Sequence, residues 1–400
     1  MTTIDTLSER SRGMRDLLPA EMRAFRRVED AFRAATSRWG YEEIRTPTIE
    51  TYSLFTAAGA LTPQMLSRVY SFLDWDGWSG ERVVLRPDST IPVARAATEG
   101  GLQLPARVSY VQNVFRFSES EDREEWQCGV EYLGAPPSLG DLEVAAVGCE
   151  TLESLGLKPV VRIGHVGVSR AAVHAMYSDD DERRALLEQV TTHGLSALAE
   201  DAGRAPGLSA FVAAALQPAH SPVLIQNLKS LAASVLPVAV GALEETAGVA
   251  QALTESGRAV VIDFAMPRDF EYYTGVVFEF HAEGGSWGRG GRYTPSGIEA
   301  PATACGVGLS LDRLARHVEP STRRRTSVAV IPVRPADLSG AVAVARALHR
   351  SGIAAALADG NSAHALTVRV EGERLITQTP DGEQQMRTLD DLVGLLVQYK

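Results

Sequence analysis

Apolar residues recur at three- and four-residue steps between Gly13 and Trp39, with Met22, Phe25, Val28, Phe32 and Ala35 on one stripe. That spacing predicts a helix over 13–39, with Pro19 near its start and Gly40 as its stop signal. The next segment, YEEIRTPTIE, reads as a strand broken by Pro47, at a sheet edge or a crossover. Val69–Arg86 predicts a hairpin with its turn at Asp76–Gly80. LRPDSTIPVARA predicts a helix holding Pro92 in its first turn and capped by Asp88 or Ser89. Two β-like runs, Val108–Phe117 and Trp126–Leu133, then flank a short acidic loop. Alternation in the second run sets Gln127, Gly129 and Glu131 on one face and Cys128, Val130 and Tyr132 on the other. A polar strand face is ordinarily a solvated one. With Arg116 at the hairpin's entrance, the same face also offers an arginine, an amide and a carboxylate to one small ligand.

Asp141 and Glu143 open a helix through Leu155, and Pro159–Ile163 reads as a strand. Residues 167–256 are rich in alanine and leucine and predict a helical insertion, with breaks around Gly203–Gly207 and Gln217–Ser221. The sheet resumes at Ala259–Phe264 and Thr274–Phe280, followed by a hairpin through Gly284–Gly291. Pro301–Val318 supplies a short strand and a helix. After the basic linker Ser321–Arg325 the pattern alternates strand (Ser327–Pro332), helix (Pro335–Arg350), strands (Ile353–Leu357, Leu366–Val370, Arg374–Thr379) and helix (Thr388–Tyr399). The expected architecture is α+β, an antiparallel sheet flanked by helices over 1–320, with a small α/β module over 326–400.

Composition narrows the functions. The 400 residues carry a net charge of −11, which weighs against extensive nucleic-acid contact. Three cysteines without CxxC spacing suggest neither a disulfide framework nor a zinc site. The eight histidines lack ligand spacing, so no metal and no cofactor is assigned, and no GxSxG elbow is present. The N-terminus has no apolar signal core and no run is long enough to span a bilayer, so the chain reads as cytosolic and not membrane-bound. The glycines of 284–291 fit a tight hairpin better than a phosphate loop.

Polar density concentrates at Arg86–Thr90, at the acidic hairpin, and at Met266–Phe280 with GRGGRY (Gly288–Tyr293). Together these supply Asp88, Glu131 and Glu271 as carboxylates, Arg116, Arg268 and Arg313 as cations, and Tyr272, Tyr273 and Tyr293 as hydroxyls. An amino-acid ligand calls for that inventory: a carboxylate for its ammonium, an arginine for its carboxylate, hydrogen bonds for its side chain. Adjacent tyrosines on a strand point to opposite faces, so one of Tyr272 and Tyr273 reaches a given pocket. Asp88 also suits a plain helix cap, and a tyrosine pair suits packing.

At these residues the sequence resembles the histidyl-tRNA synthetase family, a class II aminoacyl-tRNA synthetase fold, over about residues 13–318. GMRDLLPAE with TP near residue 47 resembles motif 1, VFRF…REEWQCGVEYLG motif 2, and GVGLSLDRL motif 3. LRPDSTIPVAR resembles the segment before motif 2. RDFEYYTGVVFE and GGRY resemble the two histidine signatures. The resemblance implies that histidine is held by Asp88, Thr90, Gln127, Glu131, Tyr272, Tyr273 and Tyr293. It further implies that ATP is gripped by Arg116, Arg123 and Arg313, with Arg268 assisting adenylation.

Four departures matter. The motif 2 loop carries Glu119, Glu121, Asp122, Glu124 and Glu125 against Arg123, a net charge of −4, which opposes a triphosphate. Asp269 stands where the signature has glycine, and Thr294 where an aspartate follows GGRY. From Ser321 onward 10 basic and 8 acidic residues leave a net +2, little for gripping an anticodon stem, and the module looks like an anticodon-binding domain without its centre. A chain that keeps the histidine pocket and loses nucleotide and tRNA features resembles the regulatory subunits of ATP phosphoribosyltransferase. The resemblance implies a non-catalytic protein of histidine biosynthesis with L-histidine as effector. Histidine would lie among Asp88, Gln127, Glu131, Arg268, Tyr273 and Tyr293. Its partners would be the short-form catalytic subunit and a second copy, as a homodimer within a hetero-oligomer. The nucleotide-site arginines Arg116, Arg123 and Arg313 would then be vestigial. The alternatives are an active histidine–tRNA ligase, because Arg116, Arg268 and Arg313 survive, and a synthetase-like ligase acting on a non-tRNA substrate.

Overall fold

The computed structural model describes residues 10–57, 63–75, 80–119, 122–205, 207–218, 223–266, 273–295, 303–319, 328–359 and 365–399. The chain divides into two compact units, Met1–Pro320 and Ser321–Lys400. The first is built on an eight-stranded sheet. Its strands in chain order are β1 (Glu42–Glu43), β2 (Ala106–Phe115), β3 (Glu124–Leu133), β4 (Val160–His165), β5 (Ala259–Ile262), β6 (Tyr273–Ala282), β7 (Gly285–Tyr293) and β8 (Ala304–Ser310). Across the sheet they run β1-β2-β3-β8-β7-β6-β4-β5. The β1/β2 and β4/β5 pairs at the two ends are parallel, and every pairing between them is antiparallel.

The alternation in β3 sorts residues onto two cores. Cys128, Val130 and Tyr132 pack with Phe25, Val28 and Phe32 of the N-terminal helix and with Val144 and Val147 of the helix Leu139–Ser154. On the other face, Val108, Tyr110, Leu133, Tyr273 and Tyr293 pack with Ile91, Val93 and Ala97 of the helix Thr90–Glu99. That helix covers the polar face, so Glu131 is fully buried rather than solvated.

The helical segment runs from Val166–Met176 to Val240–Glu255 and joins β4 to its parallel neighbour β5. Parallel neighbours require such a crossover, and its residues Leu198, Phe211, Leu228 and Leu243 extend the same core as the N-terminal helix. The N-terminal helix begins at Pro19, not at residue 13. Leu18 is extended, as a residue before proline prefers, and Gly13 has φ +77°. The 42–51 segment is split between two sheets: β1 lies on the main sheet, while Ile49–Thr51 pairs with Gly80–Leu85 of a three-stranded sheet that also holds Ser71–Trp75.

In the second unit a five-stranded sheet runs in the order Ala355–Leu357, Val328–Pro332, Thr367–Glu371, Arg374–Thr379, Gly382–Met386. Its last strand is absent from the sequence expectation. GEQQM is an edge strand that points only Met386 into the core, so it lacks apolar alternation.

One buried arginine ties the small three-stranded sheet to the main one. Arg86, 2% exposed, donates from Nε to the Asn113 carbonyl (2.9 Å) and from Nη1 to the carbonyls of Thr46 (2.9 Å) and Pro47 (2.7 Å). Nη2 reaches Asn113 Oδ1 at 2.9 Å. Truncation would strand the buried Thr46 carbonyl and take a donor from the part-buried carbonyls of Pro47 and Asn113, so Arg86→Ala should cost roughly 2–3 kcal/mol. The urea midpoint would show it, and an unchanged midpoint would contradict this reading.

Candidate functional site

The β2–β3 hairpin pairs Val108 with Glu131, Tyr110 with Gly129 and Gln112 with Gln127. On the other side of β3, Gly306 lies opposite Glu131, Gly308 opposite Gly129 and Ser310 opposite Gln127. β7 continues this face with Arg289 opposite Gly308 and Gly291 opposite Gly306. The floor is therefore glycine in the middle, with long polar side chains at its margins. A Cβ on Gly306 would overlap the Glu131 carboxylate, and one on Gly129 would overlap the Tyr110 hydroxyl.

Glu131 is the centre of the site. Its Oε1 accepts from Thr90 Oγ1 at 2.8 Å and its Oε2 from the Tyr293 hydroxyl at 2.9 Å. Burial pushes its carboxyl up to about 8, aided by the nearby Asp88 charge and opposed by hydrogen bonds from Thr90, Tyr293 and Tyr110. Burial likewise raises the Tyr110 and Tyr293 phenols, with the Glu131 charge adding to it. Asp88 Oδ1 accepts from the backbone N–H groups of Thr90 (3.0 Å) and Ile91 (3.3 Å), so it does cap the helix. Burial raises its pKa, and the charge of Arg116 opposes that rise. Capping and facing Arg116 and Glu131 are compatible, because the cap uses one oxygen.

Beyond this pocket lie arginines. Arg116 donates from Nε to the Pro87 carbonyl at 2.8 Å and lies 3.7 Å from Glu125. Arg289 is lowered in pKa by burial and then by the charges of Arg116 and Arg313, with Glu125 opposing. Arg313 sits over the Trp287 ring at 5.9 Å. The charges of two other guanidinium groups thus act on Arg289. Arg123 is held elsewhere: it donates to the Ser118 carbonyl at 2.7 Å and lies over the Phe117 ring. The acidic loop is partly turned away from the site, since Asp122 pairs with Arg316 and Arg15, and Glu124 accepts from Asn113. The expected repulsion of a triphosphate is correspondingly weaker than the loop's net charge suggests.

Of the residues read from the sequence, Asp88, Thr90, Glu131 and Tyr293 converge directly, and Gln127 shares their face. Tyr273 is buried and pairs with Tyr293 across β6 and β7. Arg268, Glu271 and Tyr272 lie outside the described residues. Sequence reasoning missed Tyr110, Arg289 and Gly306. Alternation in GRGGRY puts Arg289 on the face of Tyr293, a signal that was available; Gly306 needed the β3–β8 register.

A sheet of this order with this pocket defines a class II synthetase-type protein. A family model described as Histidyl-tRNA synthetase matches residues 13–314. The ATP phosphoribosyltransferase regulatory subunit of Dehalococcoides mccartyi is 39% identical over 325 residues, covering 78% of this chain and 77% of that one. The histidine–tRNA ligase of Archaeoglobus fulgidus is 31% identical over 364 residues, covering 87% and 85%. A solved structure from Bacillus halodurans, described as an ATP phosphoribosyltransferase regulatory subunit/histidyl-tRNA synthetase, has a TM-score of 0.76 at 26% identity, covering 89% of this chain and 94% of that one. The chain belongs to the histidyl-tRNA synthetase family, in the branch that includes the ATP phosphoribosyltransferase regulatory subunits.

The raised Glu131 pKa has a thermodynamic consequence. Between about 4.5 and 8 the folded state binds more protons at this group than the unfolded state does. The stability it contributes is complete below the unfolded value and is lost as pH rises toward the folded one. Glu131→Gln should flatten the decline of urea stability over that window; an unchanged slope would contradict the assignment. Gly306→Ala should weaken any ligand of Glu131 by roughly tenfold or more, read by calorimetry.

Proposed function

We propose that this chain is a regulatory subunit of ATP phosphoribosyltransferase, the first enzyme of histidine biosynthesis, and that L-histidine is its effector. The observation that carries the reading is the Glu131 site: a fully buried carboxylate held by Thr90 and Tyr293 over a glycine floor. Asp88 and Glu131 supply acceptors for the ammonium and imidazole N–H groups, and the ligand's positive charge favours ionisation of the Glu131 carboxyl on binding. Gln127 and Tyr273 supply further hydrogen bonds, and Arg268 pairs with the ligand's carboxylate. The chain would assemble as a homodimer with the short-form catalytic subunit in the cytoplasm and perform no catalysis itself. Histidine would act by preferring the inhibited form of the complex. Such coupling is typically about 1–3 kcal/mol and reciprocal, so substrates of the catalytic subunit should weaken histidine binding.

Calorimetry should show saturable L-histidine binding that Glu131→Ala abolishes, while assembly with the catalytic subunit and restored phosphoribosyl transfer persist. Survival of histidine inhibition in that variant would refute the pocket. The arginines Arg116, Arg289 and Arg313 favour a second reading, a histidine–tRNA ligase, because neighbouring cations suit a polyphosphate. Histidine-dependent exchange of pyrophosphate into ATP decides between them: the regulatory reading expects none, and robust exchange would overturn it.

A further inference from the structure

The sheet face that carries Glu131, the front face, also holds the buried amide of Gln112. This residue lies on β2, and the two-residue period of a strand puts it on the side of Val108 and Tyr110, which pack in the front core. It stands directly opposite Gln127 of β3, and Gln127 stands opposite Ser310 of β8. A polar row, Gln112–Gln127–Ser310, therefore crosses three strands beside the glycine floor. Gln127 and Glu131 are four residues apart on β3, about 13 Å along the strand. Long side chains reaching in from both ends bring that span within the length of an amino acid.

The orientation of the Gln112 amide follows from its neighbours. Its Oε1 accepts from the Thr46 N–H at 3.4 Å and from the Thr46 hydroxyl at 3.2 Å. A backbone N–H can only donate, and the hydroxyl itself accepts from Arg86 Nη1 at 3.2 Å, so the arm facing Thr46 is the oxygen. Thr46 lies just past β1, the edge strand beside β2. Nε2 is thus the arm turned away from the edge. Gln112 is 3% exposed, and its Nε2 is buried without a hydrogen-bond partner. Turning the amide over would not help, because the Thr46 N–H would then face a second donor. A buried donor left unpaired is costly, and native structures seldom keep one without a use. Trp287 Nε1 is also unpaired, but it belongs to the core behind the sheet.

The unpaired donor sits in the row that faces Glu131 from the far end of the pocket, where an acceptor on the ligand would satisfy it. We propose that Gln112 is a further ligand-binding residue of the front pocket, its Nε2 donating to the carboxylate of the bound amino acid. This rests on the reading of the pocket as a histidine site, and it adds a residue that the family resemblance does not supply. The amide is already tied to Thr46 through Oε1, so little side-chain freedom is lost when the ligand binds. Through Thr46 the same amide links the ligand's carboxylate to Arg86, which joins the small sheet to the main one.

The test is calorimetry on the full chain with L-histidine and with histamine, which keeps the ammonium and imidazole and lacks the carboxylate. Gln112→Met, close to glutamine in volume, should weaken L-histidine about tenfold or more and histamine by less than about twofold. Gln112→Leu should give the same split, and it carries the test if the urea midpoint shows the first variant to be poorly folded. A purely structural role would weaken both ligands alike, and an amide satisfied by water would leave both unchanged. Either result would overturn the proposal. Failure of the wild-type chain to bind L-histidine would overturn the reading of the pocket itself, and the proposal with it, so the two failures are told apart.

Discussion

The carboxylate of Glu131 imposes the constraint on which the site's surroundings depend. A fully buried carboxyl is stable only with hydrogen-bond partners and room for its oxygens. Thr90, from the helix over the sheet, and Tyr293, two strands away, supply the partners. Gly306 supplies the room. Those three residues arrive from separate parts of the chain, so the helix Thr90–Glu99, β7 and β8 must all be in register before the carboxyl is satisfied. The group still titrates high, because desolvation outweighs what the hydrogen bonds return.

Around that centre the sheet separates two chemistries. On the front face, Asp88 lies between the Glu131 carboxyl and the guanidinium of Arg116, whose charge in turn acts on Arg289, which suits a ligand or ligands with both charges. On the back face, Arg292 joins Asp141 and Glu245 beside a cavity, one residue along from Tyr293. Alternation along β7 thus gives a single strand two faces with different polar partners. The acidic loop at the hairpin tip has its charge partly absorbed by Arg15 and Arg316, so its composition alone overstates its effect on the front pocket.

Much of the fold was legible because it rests on local pattern. The amphipathic stripe of Phe25, Val28 and Phe32, the alternation in β3, and the break in alanine-rich helices each follow from the identities of near neighbours. Boundaries depart from the pattern where local rules compete: the expected helix runs from residue 13, while Pro19 and the extended Leu18 fix its start. The strand Gly382–Met386 was missed because an edge strand can be polar on both faces and is recognised only by its partner.

The sequence by itself determined which residue types were available to the site and on which strand face they lie, including Asp88, Thr90, Glu131 and Tyr293. It did so because alternation and capping are properties of a few consecutive residues. Only the tertiary structure decided that the polar face of β3 is buried, that Gly306 stands opposite Glu131, that Arg289 joins Arg116 and Arg313, and that Arg86 locks two sheets together. Each of these is a pairing between residues far apart in the chain, set by strand register and by which helix covers the sheet, and no local pattern encodes it.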